Sequence, residues 1–136
     1  MVDPSVGPRV PSAPEPAVLA ACPPRPNCVA SGDARDAQRV EALRFAGSGV
    51  NALAGVRAVL EAMPRIAIVA ATPRYLHAEA RSRILGFVDD IEFLLDEAEE
   101  RIEVRSAARV GYSDLGVNRR RVETIRARLR ALPEFR

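Results

Sequence analysis

Residues 75–97 read YLHAEARSRILGFVDDIEFLLDE, and residues 101–126 read RIEVRSAARVGYSDLGVNRRRVETIR. Together they decide the fold. From Tyr75 to Arg83 polar and small apolar residues alternate. Tyr75, His77, Glu79, Arg81 and Arg83 fall on one side, and Leu76, Ala78, Ala80 and Ser82 on the other. Such a period of two is that of a strand with one covered and one uncovered face. Gly86 marks a bend. Asp89–Leu95 and Ile102–Val110 repeat the pattern, joined through Asp96–Arg101. After Gly111 and the Ser113-Asp114 pair the period changes to that of a helix, with Val122, Ile125, Leu129 and Leu132 as its apolar stripe and Pro133 as its stop.

Working outward, Arg65–Ala71 is apolar and strand-like, and Thr72-Pro73-Arg74 is a turn. Ser48 is placed to cap a helix running to about Met63, with Val50, Leu53, Leu60 and Met63 at helical spacing and Pro64 ending it. Arg39–Phe45 reads as a short edge strand. The segment CPPRPNCVASGD has three prolines between Cys22 and Cys28 and is expected to be a stiff, irregular loop. Eight of the 11 prolines lie in the first 26 residues, so residues 1–21 are expected to be a disordered or extended tail. The predicted organisation is a tail (1–21), a Cys/Pro loop (22–38) and one α+β domain (39–136). In that domain an antiparallel sheet of four to five strands carries two helices on one face. Val, Ile, Leu and Ala must build the core, with Phe45, Phe87 and Phe93 as its largest members; there is no Trp.

All 20 basic residues are Arg and none is Lys, which is read as codon bias. Set against 18 acidic residues they leave a net charge of +2, too small for a non-specific nucleic-acid binder. No apolar run approaches the roughly 18 residues of a transmembrane helix. Leu19-Ala20-Ala21-Cys22 resembles a lipoprotein box, but Pro14, Glu15 and Pro16 interrupt the apolar stretch that a leader requires. The chain therefore reads as cytoplasmic.

Aligning the apolar sets of the last two strands puts Phe93 opposite Val104 and Ile91 opposite Ser106. Glu92 then meets Arg105 on the other face, and Asp90 lies diagonally between Arg105 and Arg109. The uncovered face so carries His77, Glu79, Arg81, Asp90, Glu92, Glu103, Arg105 and Arg109, which reads as a salt-bridge lattice or a platform for a charged ligand. Two features break this pattern. Asp89 falls on the core side, where a carboxylate must be paired or hydrogen-bonded, with a catalytic role as the alternative. Arg119, Arg120 and Arg121 open the last helix, where the dipole disfavours cations. Either they pair with the sheet's acids or they frame an anion site at the helix N-terminus, with Asp114 answering one of them.

His77 is the only His, and no Ser or Cys nucleophile is identifiable near it. Two Cys and one His at these spacings do not make a zinc site, and Asp89, Asp90 and Glu92 point to alternating faces, so no metal or cofactor is assigned. Cys22 and Cys28 would close a small disulfide loop in an oxidising compartment and stay reduced in the cytosol.

The stretches CPPRPNCV, RVEALRF, YLHAEARSRILGFVDDIEF and IEVRSAARVGYSDLGVNRRRVE resemble, in order and spacing, the bacterial and plastid family catalogued as domain of unknown function 1499. The resemblance covers nearly everything after residue 21. It singles out Cys22, Pro26, Asn27 and Cys28 in the loop, and Glu79, Arg81, Ser82, Phe87, Asp89, Asp90 and Glu92 in the middle strands. It also marks Arg105, Ser106, Arg109, Gly111, Tyr112, Ser113, Asp114, Gly116, Asn118 and Arg119. Ala30 and Ala108 stand where the family carries Ser. The resemblance implies no reaction, cofactor or partner, and it makes an exported or membrane-associated location the alternative to the cytoplasm.

The functional expectation is a non-enzymatic binding or accessory module for an anionic ligand or protein partner. Its candidate residues are Arg81, Asp89, Asp90, Arg105, Arg109, Tyr112, Asp114, Asn118 and Arg119. The alternatives are a small enzyme using Glu79, Asp89 or Asp90 with His77 or Tyr112, and a purely structural Arg/Asp network.

Overall fold

The alternating stretches form a meander whose register follows from burying one side of each strand. The computed structural model describes residues 15–83 and 85–136. In chain order the strands are β1 (Cys28–Ala30), β2 (Leu43–Arg44), β3 (Ile66–Ala71), β4 (Tyr75–Arg81), β5 (Val88–Asp96) and β6 (Arg101–Ala108). The helices are α1 (Gly49–Glu61) and α2 (Val117–Leu129), and short 3-10 turns lie at Asp36–Gln38 and Pro133–Phe135. All pairings are antiparallel, in the order β1-β6-β5-β4-β3, with β2 also on the outer edge of β6. The fold is α+β, and its six-stranded sheet has more strands than the four to five expected.

The register of β5 and β6 places Ile91 opposite Ser106, Glu92 opposite Arg105 and Phe93 opposite Val104, as the alternation required. Leu76, Ala78 and Ala80 of β4, Ile91, Phe93 and Leu95 of β5, and Ile102 and Val104 of β6 form one buried cluster with Val56 and Leu60 of α1 and Val122, Ile125 and Leu129 of α2. Both helices thus cover the same face. Ser48 caps α1 by accepting from the Asn51 N–H at 3.1 Å. From the β5–β6 turn, Glu97 accepts from the Gly49 N–H and Glu100 from the Gly47 N–H, so two carboxylates answer the positive end of α1.

Several expectations need correction. The Cys/Pro loop is not wholly irregular, since Cys28–Ala30 pairs with residues 105–107 of β6 and buries Val29 in the main core. The expected strand Arg39–Phe45 shrinks to the two residues of β2, preceded by one parallel bridge between Ala30 and Arg39. Val50 is exposed, because α1 turns Ala52, Leu53, Val56 and Leu60 inward instead. Phe87 is also exposed. It lies in the β4–β5 turn, where its N–H donates to the Ser82 hydroxyl and Gly86 holds a positive φ of 69°. Pro133 ends nothing abruptly; it opens the terminal 3-10 turn, whose Phe135 packs against the core.

Residues 1–14 of the expected tail lie outside the described residues. Of residues 15–22, Glu15 and Cys22 are anchored, while Ala17, Val18, Ala20 and Ala21 stand exposed. Glu15 accepts from the Thr72 hydroxyl and faces Arg74 at the β3–β4 turn, and the Cys22 N–H donates to Asp33. Cys22 and Cys28 are joined in a disulfide that clusters with Ala30 and Ala107 on the face away from the helices. Closing this short loop is worth about 2 kcal/mol by the loop-entropy argument. The face expected to be wholly open is therefore partly roofed by the chain's own N-terminal segment, and Leu94 on that face is buried.

Candidate functional site

Sheet parity sorts the charged side chains into two groups, one on each face. On the uncovered face Arg109 lies between two carboxylates, with Nε 2.7 Å from Asp90 Oδ2 and Nη2 2.6 Å from Glu79 Oε2. His77 Nε2 is 2.7 Å from Asp90 Oδ1, Arg81 reaches Glu79 at 3.5 Å, and Tyr75 donates to Glu92 at 2.6 Å. Arg105 approaches Glu92 only to 3.6 Å, and its buried Nε has no hydrogen-bond partner among the described residues. Burial pushes the Asp90 carboxyl up, but the hydrogen bonds from Arg109 and His77 outweigh it and hold it below the usual carboxylate range. Burial and the hydrogen bond to Glu92 push the Tyr75 hydroxyl well above its ordinary value. The salt-bridge lattice inferred from alternation is thus present, with Arg109 as its hub.

On the helix side a polar network joins α2 to the sheet. Asn118 is fully buried and accepts from the Ser106 hydroxyl at 2.5 Å. Its side-chain amide donates to the Asn27 carbonyl at 3.2 Å and to Asp114 at 2.8 Å. Asp114 also accepts from the backbone N–H groups of Gly116 and Asn118, so the positive end of α2 is occupied by the chain's own carboxylate. Asp89, on the core side of β5, meets Arg121 at 2.8 Å, with both side chains largely buried. Arg119 donates to the Arg39 and Ala37 carbonyls, and Arg120 to that of Leu115. Of the three arginines only Arg121 answers a sheet acid. It stands apart from the other candidates because 118, 121, 122, 125 and 129 share one helical face.

The candidates therefore do not converge on one point. Arg81, Asp90, Arg105 and Arg109 share the uncovered face, whereas Asp89, Asp114 and Asn118 lie with the helix. Arg119 reaches the loop before β2, and Tyr112 is exposed on the loop after β6. Arg109 joins Glu79 to Asp90, and His77 meets Asp90 directly; Asp89 and Tyr112 stand away from them. No group of three Asp, Glu, His or Cys side chains among the described residues is arranged to hold a metal ion. No helix among them is long and apolar enough to cross a membrane.

A concavity of about 730 Å³ lies elsewhere, between residues 17–21 and the β2 end of the sheet. Ala17–Ala21, Val40 and Ala42 give it apolar walls, and Arg39, Arg44, Arg74 and Arg101 line it with Glu41, Asp96 and Glu103. Arg74 is answered by Glu15. Arg101 Nε sits 2.6 Å from Glu103, though not aligned for a hydrogen bond. Arg44 makes no ion pair among the described residues, and it stands directly opposite Arg101 in the β2–β6 register. Nothing local in RVEALRF or DEAEER announces that Arg44 and Arg101 are neighbours, so the pair is not legible in the sequence.

Three carboxylates link this architecture to pH. Asp33 accepts from the backbone and side-chain N–H groups of Arg35 and from the Cys22 N–H, which together hold it down to about 2. Asp90 is held low as described. For Asp114, burial raises the carboxyl, but the Asn118 and Gly116 hydrogen bonds outweigh it and lower it. Each folded value lies below the unfolded value of about 3.9, so each contribution is complete above that pH and is lost as pH falls through the folded value. Thermal midpoints followed by circular dichroism should be flat down to about pH 5 and fall below about pH 4. Asp114→Asn should flatten that fall; a midpoint unchanged between about pH 5 and pH 2 would contradict the assignment.

No curated protein and no solved structure matches this chain. A family model described as protein of unknown function (DUF1499) matches residues 18–129, a span that takes in all six strands and both helices, and the chain belongs to that family.

Proposed function

We propose that this protein is a non-enzymatic binding module whose ligand is a small anion or an acidic group of a partner, held in the cleft beneath residues 17–21. The observation that carries this reading is the Arg44–Arg101 pair. Like charges directly opposite in a sheet are destabilising; Arg101 is met by Glu103 and Asp96, whereas Arg44 makes no ion pair among the described residues. An anion seated beside Arg44 would supply the counter-charge that this arginine lacks. The cleft volume lies within the range of about 300–1,000 Å³ usual for small-ligand sites, and its walls combine apolar surface with a few charged groups. Arg81, Arg105 and Arg109 remain part of the proposal as the neighbouring charged surface, but Arg81 and Arg109 are already engaged by Glu79 and Asp90. Asp89, Asp114 and Asn118 support the fold that holds the cleft.

The test is thermal unfolding of the full chain against phosphate, phosphate esters and mono- and dicarboxylates. At a concentration about a hundredfold above Kd a bound anion contributes about 2.7 kcal/mol, a rise of several degrees in Tm. Arg44→Gln should keep the fold and abolish the rise. A panel that moves nothing, or a rise undiminished in Arg44→Gln, overturns the reading.

A further inference from the structure

The exposed apolar side chains of this protein are concentrated at one end. Of the eight large hydrophobic residues that stand exposed among the described residues, six lie around the β4–β5 turn and the segment from the end of β6 into α2. Leu85, Phe87, Val110, Tyr112 and Leu115 are 70%, 54%, 58%, 67% and 83% exposed. The two segments leave the same end of the sheet, since Asp89 pairs with Ala108 and the Arg109 N–H donates to the Val88 carbonyl. Leu115, the most exposed of them, is held at φ 57°, a left-handed conformation that a leucine rarely adopts. The Asp114 hydrogen bonds to Gly116 and Asn118 fix this loop from beneath while the leucine points outward.

Charge is distributed to match. Arg83 and Arg120, at this end, make no ion pair among the described residues; Arg120 donates only to the Leu115 carbonyl. The nearby carboxylates are committed, Asp89 to Arg121 and Asp114 to backbone N–H groups and Asn118. At the opposite end of the sheet the β5–β6 turn carries Asp96, Glu97, Glu99 and Glu100. The Leu85/Leu115 end is therefore apolar and cationic, whereas at the far end these acids lie among Arg44, Arg74 and Arg101.

We infer that the Leu85/Leu115 end docks on an anionic lipid surface, the loop tips entering the headgroup region while Arg83 and Arg120 meet the lipid phosphates. Apolar tips on separate turns suit an interfacial layer, which accepts them one by one. Phe and Tyr suit that layer, because their rings sit where water and hydrocarbon meet. This docking is independent of the cleft and of any ligand there.

The experiment uses the full chain with vesicles of phosphatidylcholine mixed with phosphatidylglycerol, and with vesicles of phosphatidylcholine alone. The protein should sediment with the mixed vesicles and stay in solution with the neutral ones, and binding should fall as salt rises from about 0.1 M to about 1 M. Leu85→Asp with Leu115→Asp, and separately Arg83→Glu with Arg120→Glu, should each lower binding at least about tenfold without moving the circular dichroism spectrum. Val50→Asp, at an exposed apolar site on α1, should bind as the parent does. The chain has no Trp, so Leu115→Trp is a single reporter whose emission should shift to the blue on mixed vesicles. The inference is overturned if the parent binds neither vesicle or both equally, if both loop pairs bind undiminished, or if the reporter's emission does not move. A protein that ignores vesicles but self-associates or captures another protein through Leu85 and Leu115 would equally overturn it.

Discussion

Asn118→Ala should lower the unfolding free energy by about 3 kcal/mol, the largest loss expected of any single polar substitution in this protein. The side chain is fully buried and ties together Ser106 on β6, the Asn27 carbonyl beside β1, Asp114 before α2 and Arg121 within it. Several of these partners keep another bond. The Asn27 carbonyl still accepts from Ala108, and Asp114 from two backbone N–H groups. The Ser106 hydroxyl does not, and it too is fully buried, so its desolvation goes uncompensated. The void left by the amide adds to the loss. For a domain of this size the thermal midpoint should drop by about 10–20 °C. Pairing Asn118→Leu with Ser106→Ala removes both halves of the hydrogen bond and should recover much of the loss, because replacing two matched polar groups costs far less than orphaning one. Urea melts of the two single variants and the double variant measure this. Additive losses would mean that Ser106 and Asn118 are not coupled.

Asp89→Asn should cost about 2–3 kcal/mol. The pair with Arg121 is neither a surface ion pair nor a fully buried one, since the two side chains are 13% and 15% exposed. Removing the negative charge leaves the guanidinium facing only neutral amide oxygens, that of the substituted side chain and that of Asn118, in a mostly dry site. That lies between the near-zero value of exposed pairs and the roughly 3–5 kcal/mol of buried ones. Asp89→Leu combined with Arg121→Met removes both charges and should be less destabilised than Asp89→Asn alone. If the double variant is the worse of the two, the pair contributes through its geometry rather than by cancelling an otherwise stranded charge.

These two residues show where sequence reading reached and where it stopped. Strand parity alone placed Asp89 on the core side and required a partner, and it aligned Glu92 with Arg105 to the residue. Both deductions rest on a period of two that one buried face enforces. Parity could not choose among Arg119, Arg120 and Arg121, which are chemically identical neighbours; the helical period that groups Arg121 with Asn118 and Val122 could have done so. Cys28–Ala30 carries no legible strand signal, because three residues are too few to show a period and their partner strand is remote in the chain. Hydrophobicity places Phe87 in the core, although Gly86 beside it already marks a turn. The Arg44–Arg101 cleft had no local signature at all, since its lining comes from the N-terminal segment, the approach to α1 and the β5–β6 hairpin.

The position of β1 in the sheet has a kinetic consequence. Strands β3 to β6 are joined by short turns and pair with their chain neighbours, so they can assemble as successive hairpins. β1 and β2 pair only with β6, from the opposite end of the chain. During synthesis the N-terminal segment emerges long before its docking edge exists, and closing that long loop carries an entropic cost that the hairpins do not. Val29 and the Cys22–Cys28 loop are therefore the last major pieces to find their places. A chain stalled before β6 keeps its N-terminal segment undocked, and the cleft beneath residues 17–21 is completed only when the sheet's outer edge closes.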